Sequence, residues 1–295
     1  MNQVTTVRSK SLDSAPVLII SLLLVDSLHF VFARLLHDRL HPATSVLYVL
    51  LVATVQVAGF AWTQGQLRFT VLRHQPWLFA AIGFLVAAST LVNYIAVAYI
   101  DPGTASLLAQ ASILFGLAFG VLWLKDRLSR RLWLGGVMAF AGVAIITFQP
   151  GDYFRVGSLL VLCSSFMYAL HAALVKRYAQ EMAPVEFFLF RLASTTGFLF
   201  LFAAGSGHLV WPDWSVWPLL ILVGTVDVVI SRTLYYLALR RLKMSLHSIV
   251  LTASPVVAIA WSLLLFGILP EPRAWLGGIG VLTGLLLATL RWRKL

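Results

Sequence analysis

The chain has 295 residues, of which 60% are hydrophobic and only 11% are charged, and its formal net charge is +11. Ordinary soluble domains are about one quarter charged, so this composition excludes that class and predicts an all-α, polytopic membrane protein. The excess of basic residues does not indicate nucleic acid as a partner, because these residues lie in short connections where they would meet anionic lipid headgroups.

Ten apolar runs follow one another along the chain, each of about the length needed to cross roughly 30 Å of hydrocarbon as a helix. They are residues 15–36, 43–62, 76–100, 102–123, 131–149, 156–176, 184–204, 216–239, 245–267 and 273–291. Residues 1–14 form a polar tail before the first run. That run is too long for a cleavable signal peptide and carries Asp26, His29 and Arg34, so we expect it to remain as a helix.

The second half of the chain repeats the first at a constant offset of 142 residues, without a gap. Trp133-Leu134-Gly135-Gly136 recurs as Trp275-Leu276-Gly277-Gly278, and His29, Pro42 and Tyr94 correspond to His171, Pro184 and Tyr236. Between Tyr94 and Thr147, 14 of 54 positions are identical to their partners. The predicted repeats are residues 15–149 and 156–291. Each contains five spans, an odd number, so the second enters the membrane from the opposite side and the repeats are inverted.

The distribution of basic residues predicts the orientation of the chain. Counted over alternate loops, sixteen Lys and Arg residues fall on one side and four on the other. The positive-inside rule places the richer side in the cytoplasm. Both termini, including the tail of residues 1–14, are therefore expected to be cytoplasmic, in a multi-pass protein of the cell (inner) membrane.

With these repeats, the chain resembles the drug/metabolite transporter superfamily, in its ten-helix form with two EamA-like repeats. The resemblance is carried by Tyr94-Ile-Ala-Val, Ser112, Asp126, Gly135 and Gly142 in the first half, and by Tyr236-Leu-Ala-Leu, Pro255, Gly277 and Gly284 in the second. Pro184 followed seven residues later by Arg191 matches the start of the second helix of a repeat. It covers essentially the whole chain, and it implies export of a metabolite through a cavity lined by spans 1, 3, 4, 6, 8 and 9.

Ionisable side chains inside the predicted spans are the first candidates for function, because each costs about 2.5–3.5 kcal/mol at a helix centre on insertion scales. Asp26 and His29 share one face of span 1, and Tyr168 and His171 are their equivalents in span 6. These pairs either line a polar central cavity or form structural hydrogen bonds between helices. Asp26 and Asp227 are the candidate proton-coupling groups.

Two arginines lie deep inside predicted spans. Arg232 is five residues from Asp227, about 140° around the helix, so the two are not expected to pair directly. Either both belong to buried ion pairs with other helices, or Arg232 meets a substrate carboxylate and Asp227 serves coupling or binds an amine. Arg191 lies too deep in span 7 to serve the helix terminus, and is expected to pair with a carboxylate or to gate the inner side.

The remaining candidates for substrate binding are uncharged or weakly basic side chains on the spans that the resemblance places around the cavity. They are Asn93, Tyr94, Tyr99, Gln110, Tyr236, His247 and Trp261. Each is either a hydrogen-bond partner for a ligand or a contact between helices. We expect no metal site and no cofactor, and no phosphate-binding loop for ATP is present in the sequence.

The sequence therefore predicts a secondary active transporter, and not an enzyme, that exports a small polar or amphiphilic metabolite by alternating access. An amino acid or an amino-acid-derived compound is the expected substrate, because both carboxylates and a cation are expected in the cavity. Protons are the candidate coupling ion, and the partners are the substrate and the bilayer. An uncoupled facilitator or exchanger is one alternative, and an intramembrane enzyme using the His/Asp pairs is another. A monomer and a homodimer are both compatible with ten helices.

Overall fold

The computed structural model describes residues 15–65, 75–123, 130–147, 156–179, 182, 184–241 and 251–289. Within these ranges the elements are helices. Those of the first half are α1 (Ala15–Asp26), α2 (His29–His37), α3 (Pro42–Thr63), α4 (Pro76–Ala96), α5 (Pro102–Ala109), α6 (Ala111–Leu122) and α7 (Arg130–Thr147). Those of the second half are α8 (Val156–Tyr178), α9 (Pro184–Gly205), α10 (Trp217–Val223), α11 (Ser231–Arg241), α12 (Ser254–Phe266) and α13 (Pro272–Thr289), with a π-helical segment (Gly224–Ile230) between α10 and α11.

Seven helical stretches of the described chain are long and apolar enough to cross a membrane. They are Pro16–His37, Pro42–Thr63, Pro76–Ala96, Pro102–Leu122, Val156–Tyr178, Val185–Gly205 and Trp217–Tyr235. Three shorter apolar helices, Trp133–Ile146, Ser254–Phe266 and Pro272–Leu287, overlap the predicted spans 131–149, 245–267 and 273–291. The chain is thus a helical multi-pass membrane protein, as its composition predicts.

Several helices begin at a proline, which fits the first turn because that turn leaves its N–H groups without helical partners. Asp101 caps α5 by accepting a hydrogen bond of 2.8 Å from the backbone N–H of Thr104. His41 caps α3 by accepting one of 3.3 Å from the N–H of Ala43. Side-chain caps thus stabilise the first turns of α3 and α5.

Helices α7 and α13 pack at close range through glycines. A Cβ added to Gly142 would overlap the backbone of Gly277, and a Cβ added to Gly284 would overlap the backbone of Gly135. Each of these contacts becomes the other when every residue is exchanged for its partner 142 positions away. The glycines are therefore required by the close approach of two helices, and the approach is reciprocal.

A second reciprocal contact joins α3 to α9. The hydroxyl oxygens of Thr54 and Thr196, which are repeat equivalents, lie 2.9 Å apart. Two other equivalents, Gly65 and Gly207, follow the ends of these helices with φ values of 65° and 73°, a backbone conformation that glycine adopts without strain. The contacts between α3 and α9 and between α7 and α13 are thus the same when the two halves are exchanged.

The described apolar residues pack as one large cluster and two smaller ones. The large cluster connects α2, α3, α5 and α10 and runs through the bundle to Val57, Ala61 and Leu285 near the ends of α3 and α13. The two smaller clusters lie on the side where α1 begins and α8 and α11 end, called here the basic side. One joins α1 to α11 and has Leu18, Leu22, Leu234 and Ala238 at its centre. The other joins α4 to α9 and contains Leu78, Phe79, Ile82, Phe187 and Phe190.

Candidate functional site

A cavity of about 360 Å³ lies in the middle of the bundle, between helices of both halves. Its polar lining consists of Asp26, Ser27, His29, Ser89, Thr90, Asn93, Tyr94, Ser106, Gln110, Ser112, Ser164, Ser165, Tyr168, Arg191, Thr195, Asp227, Arg232, Tyr235 and Ser254. Its volume falls within the usual range for small-molecule sites. The concentration of ionisable groups in an otherwise apolar bundle makes it the candidate functional site.

Helices are interrupted where they border this cavity. The first span breaks at Ser27 and Leu28, between α1 and α2, and the fourth breaks at Gln110, between α5 and α6. A further break, at Ala253, is one position from the repeat equivalent of Gln110. Such breaks expose backbone groups and re-aim side chains, and broken helices at corresponding positions of two repeats are typical of transporter binding sites.

The first charged pair in the cavity joins His29 to Asp227. The Nδ1 atom of His29 lies 2.9 Å from Oδ2 of Asp227. His29 begins α2, directly after the first break, and Asp227 lies on the π-helical segment, with 4% of its side chain exposed. A π-helical turn widens the helix locally and is frequent at functional sites. The two irregular segments therefore bring this buried pair together.

The second charged pair joins Asp26 to Arg232. The Nη2 atom of Arg232 lies 3.7 Å from Oδ1 of Asp26. Hydroxyl groups of Ser231 and Ser254 donate to the two oxygens of the same carboxylate, at 3.4 and 3.3 Å. The guanidinium of Arg232 also lies 5.9 Å from the ring centre of Tyr235, in a cation–π arrangement. Both pairs thus connect the first span to the eighth.

The facing wall comes from α4, α8 and α9. Ser89 and Ser164 bind each other across α4 and α8, with their hydroxyl oxygens 2.9 Å apart. Arg191 donates a hydrogen bond to Tyr168. Asn93 and Tyr94 of α4 also line the cavity, and the ring of Tyr94 meets that of His29 edge to face at 6.0 Å.

Nine of the residues predicted from the sequence lie in the lining of this one cavity. They are Asp26, His29, Asn93, Tyr94, Gln110, Tyr168, Arg191, Asp227 and Arg232. Of the two alternatives for Arg232, the structure has the ion pair with another helix, and each aspartate has a basic partner. Whether these residues bind or couple a substrate stays a prediction.

The other predicted residues lie elsewhere or outside the description. Tyr99 follows α4 and is 60% exposed, and Trp261 donates from Nε1 to the carbonyl of Leu24 at 3.3 Å. His171 is buried beside the cavity, with Nδ1 3.3 Å from the carbonyl oxygen of Tyr168 on its own helix. His247 lies outside the described residues, and Tyr236 is described only by its backbone.

Small hydroxyl residues are the part of the lining that was not predicted. Ser89, Ser106, Ser164, Ser165 and Thr195 all face the cavity. A serine or threonine inside an apolar helix also bonds its own backbone, as Thr195 does with the carbonyl of Arg191 at 2.8 Å. Their types alone therefore do not separate cavity residues from helix contacts. The density of serines in spans 3, 4 and 6 is the signal that points to them.

A smaller recess lies on the side of the bundle opposite the basic side. The rings of His41 and His208 stack there with centroids 3.4 Å apart and planes 10° apart, and Arg39 and Asp213 line the same recess. Partial burial, followed by the neighbouring His208, lowers the pKa of His41 from its usual value. The stacked arrangement therefore favours a neutral His41.

Acid should weaken this stacked contact. The pKa of His41 is lower in the folded protein than in the unfolded chain. Its contribution to the free energy of unfolding is therefore present while the ring is neutral, and is lost as the pH falls through about 6.5, the ordinary value. Asn at position 41 keeps a cap for α3 but cannot titrate. Between about pH 7.5 and pH 5.5, we expect the Tm of the purified wild type to fall further than that of His41→Asn. Equal falls would remove His41 from the acid response.

Comparison with known proteins identifies the family. The sequence model of the EamA-like transporter family matches residues 14–148 and 155–290. A Bacillus subtilis (strain 168) protein named as the uncharacterized transporter YdfC is 26% identical over 259 residues, covering 86% of this chain and 84% of its own length. A riboflavin transporter of Vibrio cholerae serotype O1 (strain El Tor Inaba N16961) is 27% identical over 179 residues, covering 58% of this chain and 56% of its own length.

A solved crystal structure shares the fold. It superposes with a TM-score of 0.66 over 92% of this chain and 96% of its own, at 19% sequence identity. The family match confirms the resemblance to the drug/metabolite transporter superfamily, and the family and both relatives are named as transporters. The chain is a membrane transporter that belongs to the EamA-like transporter family.

Proposed function

We propose that the protein is a secondary transporter that exports a small polar or amphiphilic metabolite by alternating access around the central cavity. The observation that carries the proposal is a cavity with charged side chains, enclosed by helices of both halves at the points where several of them break. Binding groups in the middle of the membrane can be reached from either side in turn. The direction, export, rests on the family resemblance.

The packing of the two sides supports alternating access. On the basic side, the α1–α11 cluster and the α4–α9 cluster are separate, and Tyr235 and Leu251 of the first of them border the cavity. On the opposite side, Nη1 of Arg34 on α2 donates a hydrogen bond of 2.6 Å to the carbonyl of Val97, which follows α4. We infer that the cavity faces the basic side here, and that the second state separates α2 from α4 instead.

The reciprocal contacts support an inverted architecture of ten helices in two repeats, residues 15–149 and 156–291, with both termini in the cytoplasm. The contacts between α7 and α13 and between α3 and α9 exchange repeat equivalents, as a two-fold axis between the halves requires. Repeats related in this way give inward-open and outward-open states of similar energy.

Proton coupling is proposed for the pair of His29 and Asp227, with Asp26 as the second carboxylate. Protonation of the buried aspartate would break the 2.9 Å contact with His29 and release α2 from the π-helical segment. A single protonation would then alter a contact between the first and eighth spans, both of which line the cavity.

An amino acid or an amino-acid-derived compound is the proposed substrate, because cationic and acidic groups line the same cavity. A flavin is the second candidate. It is favoured by the named function of the Vibrio cholerae relative and by the aromatic side chains Phe30, Tyr94, Tyr168, Phe188 and Tyr235 in the lining. Riboflavin carries no fixed negative charge, so it would leave Arg191, which takes part in neither ion pair of the cavity, without a counter-charge.

Purified protein in liposomes tests the proposal. Radiolabelled amino acids and riboflavin are offered with and without a pH gradient, and protein-free liposomes are the control. Accumulation that collapses with a protonophore supports coupled transport, whereas counterflow that a protonophore leaves unchanged supports exchange. Chemical conversion of the label would point to an intramembrane enzyme. If none of the labels moves faster than in protein-free liposomes, the amino acid and flavin proposals are both wrong.

A further inference from the structure

Arg191 is a buried charge without a counter-charge among the described residues. Its side chain is 8% exposed, it lines the cavity from α9, and its Nε atom has no hydrogen-bond partner. The ion pairs of the cavity join His29 to Asp227 and Arg232 to Asp26, and neither includes it. The Tyr168 hydroxyl is a neutral partner and does not balance the guanidinium charge. A buried cation in this position is strongly destabilising unless an anion reaches it.

Arg232 differs from Arg191 in this respect. Its guanidinium is already paired with Asp26 at 3.7 Å and lies against the ring of Tyr235. A substrate anion would have to displace Asp26, which two serine hydroxyls also hold in place. Of the two arginines in the cavity, Arg191 is therefore the one whose charge no described carboxylate balances.

Hydrogen-bond acceptors without partners lie on other helices around the same cavity. Oδ1 of Asp227 and Oδ1 of Asn93 are buried and have no hydrogen-bond partner among the described residues. Both residues line the cavity, Asp227 from the π-helical segment and Asn93 from α4. Unmade hydrogen bonds of buried polar groups are costly, and these two oxygens can accept from a cationic nitrogen.

We propose that Arg191 binds the carboxylate of the transported molecule, while Asp227 and Asn93 accept hydrogen bonds from its amino group. The guanidinium offers two parallel N–H donors that match the two oxygens of a carboxylate. Bound in this way, a zwitterionic amino acid supplies each uncompensated group with a partner. The inference rests on the proposed transport function, and it replaces Arg232 with Arg191 as the carboxylate-binding residue.

Ligand-induced thermal stabilisation of the detergent-purified protein tests this inference without requiring transport. The probes are the twenty standard L-amino acids, the amide of the most stabilising one, and riboflavin. We expect an amino acid to stabilise the wild type and its amide to bind at least tenfold more weakly, because the amide lacks the carboxylate. Arg191→Gln should lower affinity for the amino acid on the order of a hundredfold and bind amino acid and amide alike.

Three further variants separate binding from structure. Arg191→Lys should recover part of the affinity, since it restores the charge without the bidentate geometry. Tyr168→Phe removes the neutral partner of Arg191 and should keep the preference for the carboxylate over the amide. Arg273→Gln, on an exposed residue of α13, is the matched control and should bind as the wild type does.

Several results would overturn the inference. The first is an amide that stabilises the wild type as strongly as its parent amino acid does. This result requires no variant, so it counts even where Arg191→Gln fails to fold. Unchanged affinity in Arg191→Gln also overturns it, as does stabilisation by riboflavin alone or by none of the probes. Transport in liposomes is measured separately. Transport of riboflavin there would contradict the proposed carboxylate-binding site and leave the transporter proposal intact.

Discussion

Replacing Asp227 with Asn should abolish accumulation of substrate driven by a pH gradient. The substitution keeps the size of the side chain but removes its charge and its ability to release a proton. The contact of 2.9 Å with Nδ1 of His29 then becomes a neutral hydrogen bond. No side chain at this position can then carry the coupled proton, so accumulation driven by the pH gradient should fall to the level of protein-free liposomes.

The measurement compares two modes of transport by one purified variant. Accumulation against a gradient requires proton movement, whereas counterflow of labelled against unlabelled substrate requires only the change of access. If Asp227 serves coupling, accumulation is lost while counterflow persists and no longer depends on pH. If Asp227 only binds the amino group, both modes are lost together and substrate affinity falls with them.

Two variants control for structure. His29→Gln breaks the same pair from the other side and should reproduce the loss of coupling. Asp213→Asn removes a carboxylate from an exposed connection on the opposite side of the bundle and should transport like the wild type. Coupled transport by Asp227→Asn at the wild-type rate, with unchanged pH dependence, contradicts the proton hypothesis for this residue.

The helical class and the positions of most helices follow from hydropathy and proline, because the bilayer requires long apolar segments whose backbone bonds are satisfied internally. The interruptions do not follow in the same way. The first predicted span is continuous in its apolar pattern, yet it breaks at Ser27 and Leu28. Hydropathy measures length and polarity, whereas a break depends on which neighbouring groups satisfy the released backbone.

The membership of the cavity was largely predictable, because ionisable groups inside a membrane are rare and repeat equivalence indicates which helices face each other. The pairing within it was not. Asp26 and Arg232 are 206 positions apart, and the separation of three positions between Asp26 and His29 gave no reason to assign them to different partners. The pairing depends on the helix break after Asp26 and on the π-helical segment, because these two irregular segments set the directions of the paired side chains.

Repeat equivalence also has a limit that His171 illustrates. His29 begins a helix after a break and faces Asp227, whereas His171 sits inside the continuous helix α8 and bonds a carbonyl of that helix. The same offset pairs Arg232 with Thr90 and Arg191 with Val49. The aspartates and arginines of the cavity therefore have no charged equivalent in the other half, whereas the contacts between α7 and α13 and between α3 and α9 use identical residues.

Replacing Gly142 with Val should severely destabilise the protein. A Cβ at this position would overlap the backbone of Gly277 on α13, and backbone cannot move aside as a flexible side chain does. Overpacking usually costs about 1–3 kcal/mol, and more where helices must separate. We expect the Tm of the detergent-purified variant to fall by roughly 5 °C or more, with lower yield of the folded protein in size-exclusion chromatography.

Gly136→Val on the same helix is the matched control, since a Cβ at Gly136 meets nothing within 4 Å. Both variants place the same β-branched residue in α7, so differences in helix propensity cancel and only the contact with α13 distinguishes them. The reciprocal position predicts a third result, because Gly284→Val meets the backbone of Gly135 and should be as harmful as Gly142→Val. Equal Tm values for Gly142→Val and Gly136→Val would contradict close packing of α7 against α13, and with it the main reciprocal contact between the two halves.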